Sequence, residues 1–335
     1  MNASTTRRPI VALAMGDPAG VSPELTAKLV ALDEARAAAR LVVIGDKRVF
    51  DAGAVVAGVS ATFAVIGAAD PIPAGEGPVF VDLAHLDPVT IERGVATRAG
   101  GAFALANYRH ALERVARGDA NAVCFTPFNK QAMRLADASY DDEIGFTAGV
   151  LGTTGPATEF NILEGLWNAR VTSHVPMVDM PKLLTIDGII GALELTTAAL
   201  EAAGFVPPRI AVAALNPHAG DGGNFGREEI DIIAPAVKLA QSRGIGCEGP
   251  FPADTVFVRA RRGDYDAVLT MYHDQGQIAM KLMGFDRGVT LLGGFPFAIC
   301  TPAHGTAYDI AGKGVANIGA TRAAVLLAAA MALRQ

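Results

Sequence analysis

Cysteine is scarce in this chain. Only Cys124, Cys247 and Cys300 occur in 335 residues, far apart and odd in number. That excludes a disulfide framework and points to a reducing compartment, the cytoplasm. Positive charge is never concentrated. Lys and Arg total 28 against 34 Asp and Glu, the formal net charge is −6, and no basic tract of five or more residues occurs. A nucleic-acid groove needs clustered positive charge, so no nucleic-acid partner is expected. Long hydrophobic runs are missing too. The longest, Ala323–Leu333, has 11 residues, whereas a membrane span needs roughly 20. Met1–Arg8 carries two arginines with no apolar run of signal length behind them. No Gly-x-Ser-x-Gly elbow and no Walker loop appear, which speaks against a serine hydrolase or a P-loop enzyme.

Apolar residues make up 51% of the chain, enough to exclude disorder and to bury a large core. At about 100–200 residues per domain the length suggests two domains or one large α/β unit. Short apolar runs alternate with helical segments. Pro9–Met15, Leu41–Ile44, Pro78–Leu83, Ala122–Thr126, Arg209–Leu215 and Ala267–Met271 read as strands. Ala102–Arg117, Glu194–Ala203 and Ala323–Leu333 read as helices, with Gly204 placed as a C-terminal stop. Ser22-Pro23-Glu24 reads as N-cap, first helical residue and early-turn acid. The alternation predicts a largely parallel sheet, whose ligands gather where strands end. Composition suggests a domain border near Thr126–Lys130 and a return crossing near residues 295–300, giving 1–127 plus 300–335 as one domain and 128–299 as the other.

Three of the six histidines sit in similar settings: His174 in VTSHVP, His218 in LNPHAGDGG and His273 in MYHDQG. Each follows an apolar segment and precedes a turn. Three neutral imidazoles suit a divalent ion of the Zn, Mn, Fe, Co or Ni type and leave positions open for a substrate. Singly, each could equally be a loop residue bonded to its own backbone. Asp274, beside His273, and Asp254, in PADT, are candidates for metal support or acid–base work. Lys130 and Lys281 are further candidate polar groups, and His85 and His110 read as surface or structural. In Pro302–Asn317 (PAHGTAYDIAGKGVAN), Gly305, Gly312 and Gly314 allow close approach of backbone to a ligand. Asp309 suits a ribose hydroxyl and repels a 2′-phosphate, the logic that selects NAD over NADP. An ordinary loop capping a helix is the alternative. GDPAGVSPE (Gly16–Glu24) opens a helix after a strand, either to hold an anion or as a plain connection.

Taken together, MGDPAGVSPE, TPFNK, LNPHAGDGG, PADT, YHDQGQIAMK and HGTAYDIAGKG resemble the 4-hydroxythreonine-4-phosphate dehydrogenase (PdxA) family, from about Pro9 to the C-terminus. The HGTAYDIAGKG stretch is also similar to the cofactor loop of isocitrate and isopropylmalate dehydrogenases. The resemblance implies an α/β fold of two α/β/α domains with a cleft between them. It further implies a homodimer with shared active sites, and NAD-dependent, divalent-metal-dependent oxidation of a small β-hydroxy acid with coupled loss of CO₂. By the same resemblance, His174, His218 and His273 bind the metal (Zn, Mg, Mn, Co, Ni or Fe), the last from the partner subunit. Lys281 contacts substrate, and His304, Gly305, Thr306, Asp309, Gly312, Gly314 and Asn317 form the cofactor loop. The chain departs from the family where substrate is held. YDDEIGFTAG (Tyr140–Gly149) stands in place of a Gly-His-Thr-Glu motif. Thr290 replaces an asparagine and Ile299 an arginine, and Arg287, though close by, is a different position. Losing that arginine removes a two-pronged phosphate donor. Two related activities therefore stay open beside the family's own: a dehydrogenase for the cis-dihydrodiol of an aromatic dicarboxylate such as terephthalate, and one for four-carbon acid phosphates. A relative that binds a metal and a small acid without oxidising it is the alternative of another class.

Overall fold

The computed structural model describes residues 8–163 and 165–334. The chain divides into two compact units. One runs to Gly155 and resumes at Val289; the other is Pro156–Gly288. The strands in chain order are β1 (Ile10–Ala14), β2 (Arg40–Gly45), β3 (Ala64–Gly67), β4 (Val79–Asp82) and β5 (Ala122–Phe125), then β6 (Thr158–Leu163), β7 (Leu166–Arg170), β8 (Ile210–Ala213), β9 (Cys247–Phe251) and β10 (Ala267–Thr270) in the second unit, and β11 (Val289–Gly293) and β12 (Ile299–Pro302) back in the first.

In the first unit the strand order is β3-β4-β2-β1-β5-β12-β11. All its pairs are parallel except β11 with β12. The central strands are apolar throughout because both sheet faces are covered: Val11 to Ala14 and Leu41 to Ile44 are buried. In the second unit the order is β6-β7-β10-β8-β9, again parallel apart from β6 with β7. An α/β architecture with mainly parallel pairing is what the alternating pattern predicts. The antiparallel β6–β7 hairpin was not read from the sequence. Its alternation of Asn161, Asn168 and Arg170 with apolar neighbours looks like surface, yet all three polar residues are buried. Mutual bonds make that possible: Arg170 Nη1 donates to Asn161 Oδ1 at 2.6 Å and Arg170 Nη2 to Glu159 Oε2 at 2.6 Å.

The unit borders differ from those composition suggests. Residues 128–155 belong to the first unit, because they close its core rather than open a new one. Phe128 stacks on Phe125 with centroids 4.3 Å apart, Met133 and Tyr140 join the same apolar cluster, and the hydroxyls of Tyr108 and Thr147 bond at 2.6 Å. At the return crossing, β11 pairs with β12, so the first unit resumes at Val289 rather than at residue 300.

Helix Ser22–Ala31 follows β1 with Pro23 in its first turn. Ser22 is not its N-cap. Val21 holds that position, and the Ser22 hydroxyl instead donates to the Pro127 carbonyl at 2.7 Å. The segment read as Glu194–Ala203 is the second half of helix Ile186–Ala202, capped by the Thr185 hydroxyl on Gly188 N–H and stopped at Gly204, φ +97°. His85 stacks on Phe103, and His110 Nε2 accepts from Arg114 Nε at 3.0 Å; both serve the framework. The three cysteines are buried free thiols. No helix among the described residues is long and apolar enough to cross a membrane.

Asp46 caps helix Lys47–Ala57 and carries a pH-dependent share of the stability. Burial opposes its ionisation. The Arg48 guanidinium (2.8 and 3.0 Å) and the N–H groups of Leu86 (2.9 Å) and Arg48 (3.0 Å) outweigh that and hold its pKa at about 2. A carboxyl depressed in the folded state stabilises above its unfolded pKa, and that stability is lost as pH falls through the folded value. Asp46→Asn is expected to cost about 2 kcal/mol near neutrality, with the cost fading below about pH 4. Urea unfolding at about pH 7 and about pH 3 checks this; an equal cost at both would refute it.

Candidate active site

The second unit places the three candidate metal histidines at the carboxyl ends of neighbouring strands in the order β7, β10, β8, where open parallel sheets hold their ligands. His174 lies in the loop after β7, His273 opens helix His273–Gly284 after β10, and His218 lies in the turn after β8. The backbone there is unusual. His174 (φ +51°), His218 (+52°), Ala219 (+53°) and Asp221 (+44°) are all left-handed without being glycine, a conformation that persists only where the surroundings impose it.

The imidazoles of His174 and His273 have centroids 5.5 Å apart. Asp274 Oδ1 lies 2.7 Å from His273 Nδ1. Engaging that nitrogen leaves Nε2 to face a ligand and fixes the ring's orientation, the usual arrangement behind a metal-binding histidine. His218 is placed differently, with its ring 6.2 Å from Phe225. Among the described residues no group of three or more His, Cys, Asp and Glu side chains could hold a metal within one chain. The resemblance implies that His273 comes from a second chain; in this chain His273 lies beside His174, and His218 is the ring set apart. The donor set thus fits a divalent ion as an incomplete site: two imidazoles close enough to share it, one with its outer nitrogen bonded.

Of the other expected residues, Asp274 joins this pair through His273. Lys281 lies two turns along the same helix and is exposed. Asp254 is exposed in the first turn of helix Ala253–Arg261, after β9. No hydrogen bond among the described residues ties Lys281 or Asp254 to the histidines.

Sequence reading missed the residues that set the loops. Glu229, buried, accepts from the N–H groups of Leu215 (2.8 Å) and Asn216 (2.7 Å) and from Asn216 Nδ2 (2.9 Å), pinning the start of the His218 turn. Gln275 donates to Ala214 O and accepts from Met271 N–H, both at 2.7 Å, joining the ends of β8 and β10. Gln275 could have been found from its place two residues after His273; Glu229 carried no local signal.

The expected cofactor residues lie in the first unit, between β12 and helix Gly319–Ala332. Helix Ser22–Ala31 and the turn before it hold this loop. Val21 N–H donates to Thr306 O at 3.0 Å. Glu24 Oε1 accepts from Ala316 N–H at 2.8 Å and from Lys28 Nζ at 2.7 Å, and Lys28 also donates to Gly314 O (3.0 Å) and Ala316 O (2.8 Å). The Tyr308 hydroxyl donates to Asp17 Oδ2 at 2.6 Å. Burial raises the Asp17 carboxyl above its ordinary pKa, although the bonds from Tyr308 and Ala19 N–H oppose the rise. MGDPAGVSPE therefore works as the clamp of the glycine-rich loop. Along the loop Asp309 is exposed, His304 Nδ1 donates to Gly305 O at 3.0 Å, and Asn317 Oδ1 accepts from Gly319 N–H at 2.8 Å, leading into the last helix. The departures Thr290 and Ile299 lie on β11 and β12, and Ile299 is buried in the sheet.

Comparison with known proteins gives the class of the protein: it is a dehydrogenase, an oxidoreductase acting on CH–OH groups. Residues 37–328 match the family described as "Pyridoxal phosphate biosynthetic protein PdxA". The chain is 61% identical over 331 residues to "Putative 4-hydroxythreonine-4-phosphate dehydrogenase 2" of Rhizobium meliloti (strain 1021), covering 98% of this chain and 95% of that protein. It is 38% identical to "Putative D-threonate 4-phosphate dehydrogenase" of Symbiobacterium thermophilum, covering 92% of each. The solved 4-hydroxythreonine-4-phosphate dehydrogenase of Klebsiella pneumoniae superposes with a TM-score of 0.81 at 33% identity, covering 98% of this chain and 100% of that one. The chain belongs to the PdxA family.

Proposed function

We propose that the protein is an NAD-dependent, divalent-metal-dependent dehydrogenase that oxidises a phosphorylated four-carbon β-hydroxy acid, with loss of CO₂ from the keto acid formed. The observation that carries the reading is the His174–His273 pair, oriented by Asp274, at the ends of adjacent parallel strands. When bound, a divalent cation supplies Lewis acidity at the hydroxyl being oxidised, and NAD supplies the hydride acceptor. The chain's own groups bind and orient. His174 and His273 hold the cation, and a second copy of the chain in a homodimer completes its imidazole set. Lys281, on the His273 helix, orients the substrate carboxylate. In the first unit the loop from His304 through Asn317 carries NAD, with Asp309 accepting from its ribose. Three buried free thiols accord with work in the cytoplasm.

The test is NADH formation against a panel of 4-hydroxythreonine 4-phosphate, D-threonate 4-phosphate and a terephthalate cis-dihydrodiol, with metal-loaded and chelator-stripped protein. Turnover confined to the phosphorylated acids and lost on stripping is expected. Equal turnover after complete stripping rejects the metal reading, and preference for the dihydrodiol rejects the phosphorylated substrate.

The cofactor choice has its own expected result. Asp309 sets a carboxylate against a 2′-phosphate, so kcat/KM with NAD should exceed that with NADP by roughly 10- to 100-fold. Asp309→Ala should shrink that ratio. A native preference for NADP would overturn the role given to Asp309.

A further inference from the structure

Helix His273–Gly284 meets the sheet of the second unit at one point of very close approach. Gly276, buried in the first turn of that helix, faces Asn168 of β7. A Cβ on Gly276 would lie 2.1 Å from Asn168 Oδ1 and 2.5 Å from both its Cγ and its Nδ2. The carboxamide has little room to retreat. Asn168 is fully buried, and its Nδ2 donates to Val268 O at 3.1 Å and to Thr270 Oγ1 at 3.2 Å, both on β10. Its Oδ1, buried without a hydrogen-bond partner, stands where a Cα–H of Gly276 points. The same two strands are joined again two residues before each histidine: Thr172 donates to Met271 O through its N–H (3.2 Å) and its hydroxyl (2.8 Å).

We propose that Asn168 and Gly276 are positioning residues: their contact sets the separation of His174 and His273, and so the affinity for a divalent cation that neither of them touches. Asn168 lies on the strand that leads to His174. Gly276 lies three residues from His273, and residues three apart on a helix are neighbours on one face. The contact therefore fixes how close the start of the His273 helix sits to the strand that carries His174. A methyl at position 276 needs roughly 1 Å more room to reach ordinary contact with the carboxamide. With Nδ2 held by β10 and the two strand ends tied by Thr172, the helix start is what gives way. It carries with it an imidazole that now lies 5.5 Å by centroid from its neighbour. Coordination distances hold to within about 0.2 Å, so a displacement of this size costs affinity. The role rests on the metal reading proposed above, which the parent's own titration tests separately.

Cobalt(II) is the probe, titrated into the full chain freed of other metal and followed by its visible absorption, with thermal unfolding measured beside it. The parent is expected to bind. Gly276→Ala should bind at least about tenfold more weakly, and Asn168→Ser about tenfold more weakly. In the double variant Gly276→Ala with Asn168→Ser the crowding atoms are gone, so the added methyl should cost less than about twofold beyond Asn168→Ser alone. Met280→Ala hollows the apolar cluster against which the same helix packs. It should lower the unfolding temperature and leave cobalt affinity within about twofold of the parent, because it leaves the helix start in place. Should Gly276→Ala not fold, Asn168→Ser and the double variant decide. Parental affinity in Gly276→Ala or in Asn168→Ser would overturn the proposal, as would a further large loss in the double variant. An equal loss in Met280→Ala would overturn it too, by making the effect a general loosening of the helix. A parent that binds no cobalt removes the metal reading and this role with it.

Discussion

His273→Ala is expected to lower kcat/KM by about three orders of magnitude while NAD affinity stays within about twofold of the parent. The argument starts from the ring pair. His174 and His273 lie 5.5 Å apart by centroid, and Asp274 engages His273 Nδ1, so Nε2 is the nitrogen left for a cation. Removing that imidazole takes away one of two donors the chain brings together. Lewis-acid stabilisation of this kind contributes several kcal/mol, and each ~1.4 kcal/mol is tenfold in rate. Asp274→Asn keeps the ligand but weakens its orientation and basicity, and should cost roughly 10- to 100-fold. Metal content by elemental analysis gives a reading independent of turnover: substoichiometric in His273→Ala, restored only at high metal in Asp274→Asn. NAD affinity is spared because the groups that clamp the loop, Asp17, Glu24 and Lys28, belong to the other unit. Activity within tenfold of the parent in His273→Ala would remove the histidine pair from the chemistry.

What was legible in the sequence follows from where physical constraint is local. The buried parallel strands appear as uninterrupted apolar runs, such as Val11–Ala14, because both faces are covered. Placing interest in the loops after such strands picks out His218 and His273; the spacing allows His174 to share their sheet edge, but β7, the strand ahead of it, is not legible as one. The rest depends on contacts between distant residues. Nothing local marks Glu229 as the group that pins Leu215 and Asn216, or Asn161 and Arg170 as mutual partners inside a hairpin. The unit border was misplaced for the same reason. TPFNK reads as punctuation, but Phe128 belongs to a ring cluster with Phe125 and Tyr108, and tertiary packing overrides composition. The role of MGDPAGVSPE was half visible: its helix was, its clamp on a loop some 290 residues later was not.

Gly16→Ala is expected to be severely damaging to the first unit. A Cβ on Gly16 would lie 2.2 Å from Thr126 O, 2.3 Å from Pro127 O and 2.6 Å from Ser22 Oγ. The first two are backbone atoms, and neither is free to retreat. Gly16 N–H donates to Thr126 Oγ1 at 2.9 Å, while Asp17 N–H (3.0 Å) and the Ser22 hydroxyl (2.7 Å) both hold Pro127 O. Making room means parting the ends of β1 and β5, which pair in register through Ala14 and Phe125. Overpacking of this severity costs about 3 kcal/mol, equivalent to a drop in Tm of about 10 °C for a unit of this size. Function should suffer with stability. Asp17, the next residue, anchors Tyr308, so a displaced turn loosens the loop and weakens NAD binding. Gly149→Ala is the control. Gly149 is exposed in helix Glu143–Leu151, and nothing lies within 4 Å of its would-be Cβ, so alanine there should stabilise by about 0.5–1 kcal/mol. Thermal unfolding and NAD titration of the two variants separate a steric clamp at Gly16 from a general intolerance of alanine. Parental values of both Tm and NAD affinity in Gly16→Ala would show that the β1–β5 junction yields, and that its tight turn does not position the loop.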